Sequence, residues 1–139
     1  MSNETQQVSR PIPIPDPTTV RFWKAASEGR LELPHCDACD KLHYYPRAIC
    51  PYCGSEDLSW RQLSGRGAVH SWTISRRPAG AGFADLAPYA VALIDLEEGP
   101  RMLSNVRTDD LDALTIGQAV SVDFEALADD IALPVFTPV

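Results

Sequence analysis

CDACDKLHYYPRAICPYC, residues 36–53, holds all four cysteines of the 139-residue chain as two Cys-x-x-Cys pairs ten residues apart. Paired knuckles of this kind bring four sulfurs together through local turns alone, which suits a tetrahedral metal with no open position. The ligand set is therefore Cys36, Cys39, Cys50 and Cys53, and the expected ion is one structural zinc per chain. Each knuckle demands a backbone of positive φ just after its second cysteine. Gly54 meets that demand freely, and Asp40 meets it better than most side chains would. His35 and His43 are rival ligands by proximity, and a rubredoxin-like iron centre is the redox rival by spacing.

The rest of the chain is consistent with thiols kept reduced for metal. Residues 1–10 are polar with no apolar signal core, and no apolar run reaches membrane-spanning length, so the expected location is the cytoplasm, without membrane partners. In such a compartment knuckles read as metal sites rather than disulfides. Apolar residues make up 45% of the chain and charged residues 22%, a balance that supports one modest core. Net charge is −2 over residues 1–60 and −5 over residues 61–139. Such a balance disfavours nucleic acid, whose backbone recruits many Lys and Arg. A nucleic-acid-binding ribbon and barrel module is nevertheless the second functional reading, because both folds host it.

Four segments follow along the chain: a Pro-rich extended tail over 1–17, a helix over 18–30, a zinc ribbon over 31–60 and a barrel domain over 61–139. Alternating prolines in PIPIPDP forbid helix and suggest a strap. TTVRFWKAASEGRL, from Thr18 as the cap to Gly29 as the stop, carries an apolar stripe of Val20, Phe22, Trp23 and Ala26. Strand patterns fall at 68–74, 89–96, 101–106, 119–126 and 131–136, with a hairpin turn at LEEGPR and a brief helix expected over Thr108–Gly117. Five short strands with a helical link after the third have the order of an OB-fold. The fold class is thus mainly β: N-terminal helix, rubredoxin-like zinc ribbon, five-stranded OB-fold barrel. In 89–96 both alternating sets are apolar, which requires burial on two sides or an interface.

Catalytic residues are not expected. The four thiols are committed to metal, no Gly-x-Ser-x-Gly elbow or phosphate loop is present, and His70, beside Trp72 in a strand, reads as a packed residue. The glycines of SGRG and AGAGF read as ordinary flexible loops.

Taken together, FWKAASEGRL, HCDACDKLHYYPRAICPYCGS, GRGAVHSWTISRRP, YAVALIDLEEGPRMLSNV and LPVFTPV resemble the DUF35 family, zinc-ribbon plus OB-fold proteins that accompany thiolases and thiolase-like enzymes. The resemblance spans about residues 18–139. It implies a non-catalytic accessory subunit, in an α2β2 complex with a thiolase-like partner that performs the chemistry on acyl-CoA: thiolysis, Claisen or retro-aldol steps, including steroid side-chain degradation. It also implies that acyl-CoA is shared with that partner. Candidate contacts for CoA phosphates or partner carboxylates are Arg76, Arg77, Arg101 and Arg107. Candidates for a partner face or acyl channel are Phe22, Trp23, Trp72, Phe83 and Tyr89. Where the family often has an arginine before its last proline, this chain reads FTPV.

Overall fold

The structure, a computed structural model, describes residues 10–139; the first nine residues of the expected tail lie outside it. Residues 10–16 run without regular structure, and Arg10 reaches across to the barrel, its guanidinium bonded to Glu125 at 2.5 Å. Helix α1 (Val20–Ser27) starts differently from expectation. Asp16 Oδ1 accepts from the Thr18 and Thr19 amides, so the turn is closed by Asp16 rather than capped by Thr18. At the other end Gly29 and Arg30 donate to the carbonyls of Ala26 and Ala25, the paired bonds of a glycine-stopped helix. Phe22, Trp23, Ala25 and Ala26 face inward, whereas Val20 is 51% exposed. Val20 opens the helix, so its side chain lies outside the seam that the next turn buries.

Two sheets follow. A three-stranded antiparallel sheet has β1 (Glu32–Cys36) at its centre, flanked by β2 (Lys41–Leu42) and β3 (Leu58–Gln62). Then β4 (Arg66–Ser75), β5 (Tyr89–Leu96), β6 (Arg101–Val106), β7 (Ala119–Ala128) and β8 (Ile131–Pro138) close into a barrel of order β4-β5-β6-β8-β7. The one parallel contact among the described residues is between β6 and β8, at Val106 and Phe136; this is the OB-fold arrangement. Ala90, Ala92, Ile94 and Leu96 of β5 point into the barrel with Val69, Met102, Val120 and Phe136. The same buried cluster runs on through Leu63, Leu33 and Leu31 to Phe22 and Trp23, so helix, ribbon and barrel share one core.

Two local expectations give way to tertiary demands. The segment after β6 forms only a single 3-10 turn at Leu111–Ala113, because Leu114 adopts an extended backbone that carries its side chain into the core at 4% exposure. The SGRG glycines are not loose. Gly65 sits at φ +81 with its backbone against Val122, where an added Cβ would lie 2.3 Å from Cγ1. Gly65→Ala adds left-handed strain to that overlap and is expected to cost more than about 2 kcal/mol, measured as a lower denaturant midpoint at unchanged m-value.

Candidate metal centre and adjoining clefts

β1 delivers Cys36 at its end, and the turn that follows brings Cys39 back beneath it. The second knuckle sits in the connection between β2 and β3. The four sulfurs lie within 4.8 Å of one another, and Cys36–Cys53 and Cys39–Cys50 are each 3.6 Å apart. That is far beyond a disulfide and close to the edge of about 3.8 Å that four sulfurs around zinc would have. The residues present therefore fit a closed, structural zinc site. In both knuckles the residue after the second cysteine has positive φ, Asp40 at 61° and Gly54 at 78°. Its amide donates back to the first cysteine's carbonyl, at 2.8 Å for Asp40 and 2.9 Å for Gly54.

Thiol energetics differ around the cluster. Burial, with the three neighbouring sulfurs, pushes the Cys39 thiol up to about 12. Burial acts the same way on Cys50 but is outweighed by amide donors from Cys53 and Tyr52, which bring it down to about 6. Neither rival histidine joins the cluster. His35 is buried with Nδ1 2.9 Å from Asp37 and Nε2 2.7 Å from Asp40, an arrangement that also braces Asp40 in its left-handed backbone.

His43 is 1% exposed, and neither ring nitrogen has a hydrogen-bond partner among the described residues. Burial first, and the Arg47 charge second, hold its pKa below the usual 6.5. The folded chain therefore prefers neutral His43, and its stability is retained above pH 6.5 and lost as pH falls through the lowered value, because the unfolded chain takes the proton first. With zinc saturating, His43→Phe is expected to flatten that acid limb of the stability profile relative to the wild type. An unchanged slope would show that His43 does not titrate with unfolding.

Beyond the metal, two clefts adjoin on the barrel. One, of about 420 Å³, is lined by Arg10, Arg107, Glu125, Phe83, Tyr89 and Asn105 among others. The other, of about 310 Å³, is an almost wholly apolar crevice between Phe22, Trp23 and Tyr44 on one side and Tyr89, Val91 and Leu103 on the other. Phe83, Tyr89 and Asn105 are common to both. Burial would raise the Glu125 carboxyl, but Arg10 and Arg107, both paired with it, hold it low.

These clefts gather four of the five candidate channel residues. Phe22 and Trp23 are buried in the chain's own core, their rings 5.0 Å apart edge to face, with Trp23 Nε1 donating to the Tyr45 hydroxyl. Phe83 and Tyr89 stand 6.1 Å apart on the barrel. Trp72 pairs with Ala92 in register and packs on the core, away from both clefts. The candidate arginines divide. Ser75 pairs with Tyr89, and Ala90 with Val106, so Arg76, Arg77 and Arg107 share one end of the barrel. Arg101 lies at the other, its Nε 2.7 Å from an Asp95 carboxylate that Arg101, and then His70, hold low. His70 is exposed rather than packed, because a bulge between Val69 and Ser71 turns it outward to Asp95. Sequence reasoning missed Arg10 and Glu125, which only the folded chain brings together. No helix among the described residues is long and apolar enough to cross a membrane.

A closed four-cysteine ribbon that leads directly into an OB barrel, with one helix packed against both, defines a zinc-ribbon and OB-fold protein. Family models place the ChsH2 rubredoxin-like zinc ribbon domain at residues 23–59 and the ChsH2 C-terminal OB-fold domain at residues 60–125. A DUF35 domain-containing scaffold protein of Methanothermobacter thermautotrophicus is 33% identical over 81% of this chain and 85% of its own length. The chain belongs to the DUF35 family. It is also 34% identical, over 93% of its length, to a probable enoyl-CoA hydratase alpha subunit of Thermomonospora curvata, of which it spans 40%. Among solved structures, a chain of the Ltp2-ChsH2(DUF35) aldolase superposes with a TM-score of 0.80 at 33% identity, covering 91% of this chain and 98% of that one.

Proposed function

We propose that this chain is a non-catalytic accessory subunit that binds a thiolase-fold enzyme acting on acyl-CoA. The partner supplies the reacting groups for making or breaking a carbon–carbon bond, and two copies of each chain form the complex. The observation that carries this reading is the likeness to the Ltp2-ChsH2(DUF35) aldolase, whose matching chain is covered almost end to end.

The metal centre supports the same division of labour. Four thiolates saturate zinc, so the ion folds the ribbon and has no position left for water or substrate. The larger cleft suits a contribution to acyl-CoA binding, with Phe83 and Tyr89 along its apolar part and Arg107 where a phosphate would lie. The test is coexpression with a candidate thiolase-fold partner. A stoichiometric complex should copurify, and the partner should gain activity or solubility. A partner fully soluble and active alone, with no complex formed, would defeat the reading.

A further inference from the structure

Strand β5 presents Ala90, Ala92 and Ile94 to the core, yet its other face is also apolar: Tyr89, Val91 and Leu93, each half-buried, point outward. Leu103 of β6 stands directly opposite Leu93 and is 54% exposed. Helix α1 packs mainly on β8, with lesser contact to β1 and β7, and the strap is held at Glu125 on β7, so the chain's own cover meets this face only at the crevice, where Phe22, Trp23 and Tyr44 stand beside Val91 and Leu103. A contiguous outward apolar patch on the side of a barrel is uncommon without an occupant. The crevice of about 310 Å³ beside Leu103 adds a hole of the size that receives one or two apolar side chains.

Charge at the margins says what kind of occupant this is. At the far end of the patch Asp95 is already satisfied by Arg101 and His70. At the near end Arg76 and Arg77 follow β4 next to Tyr89, both exposed, and neither forms an ion pair among the described residues. In the same stretch Arg66 and Arg107 are each paired with a glutamate, in a region whose net charge is −5. Two adjacent guanidiniums left free beside an apolar face, where internal carboxylates are plentiful, fit carboxylates on another molecule.

We propose that the outer face of β5 and β6, with the adjoining crevice, is the surface that seats the thiolase-fold partner, through an apolar projection whose rim carries carboxylates facing Arg76 and Arg77. This rests on the partner reading above. Leu103→Glu puts a charge at the centre of the contact, and Arg76→Glu with Arg77→Glu reverses the rim; all three positions are exposed, so folding should survive.

The experiment measures affinity of the coexpressed thiolase-fold protein for wild type and both variants, with zinc content and circular dichroism as controls on the fold. Leu103→Glu should weaken the complex at least about thirtyfold. The double arginine reversal should weaken it about tenfold, mostly through slower association at low salt. Partner binding should also slow amide exchange in 89–96 and 101–106. Wild type and both variants binding equally would overturn this surface while leaving the partner reading intact; failure of wild type to bind would overturn both. A wild-type dimer that Leu103→Glu converts to monomer would assign the face to a second copy and overturn the proposal.

Discussion

Replacing Cys36 with serine is expected to empty the metal site and unfold the ribbon. Cys36 is fully buried, and the ribbon between Leu31 and Leu63 contributes few large apolar side chains of its own to the core. Zinc binding of about 10–16 kcal/mol is the folding free energy of such a unit. Zinc analysis should fall from one ion per chain to none, and proteolysis should begin within residues 36–58. Since the ribbon shares Leu31 and Leu33 with the barrel's cluster, the barrel should melt earlier as well. Strong chelation of the wild type should reproduce this, and a Cys36→Ser protein with full zinc and unchanged protease resistance would exclude the four-thiolate assignment.

The second large effect is at Phe136. It is completely buried, pairs with Val106 across the single parallel contact that closes the barrel, and its carbonyl accepts the Arg107 amide. Phe136→Ala leaves a cavity at the seam between β6 and β8 and should cost about 3–5 kcal/mol. That is a large part of the stability of an ordinary domain. Because Val106 of that seam lines the larger cleft, the loss should be accompanied by new binding of a hydrophobic dye. A midpoint shift below about 1 kcal/mol would mean that the barrel closes without this ring.

Much of the fold was legible because its signals are local. Runs of strand-forming residues bounded by turn residues placed all five barrel strands, with β5 and β6 at 89–96 and 101–106 as observed. The Asp40 and Gly54 backbones follow from knuckle geometry alone. What was misread depends on distant neighbours. Leu114 leaves the expected helix because the barrel interior takes it, and Gly65 is rigid because Val122 lies against it. A bulge, invisible in the residue pattern, turns His70 to solvent.

The candidate site divides along the same line. Four sulfurs within two short turns need no tertiary information, so the chain's order of residues by itself determined the ligand set and a closed four-sulfur shell that fits a structural zinc. The clefts, the Arg10–Glu125–Arg107 group and the separation of Arg101 from Arg76 and Arg77 arise from elements up to 115 residues apart. Barrel closure decides which end of a strand an arginine occupies and which apolar face is left uncovered, and no local pattern carries that information.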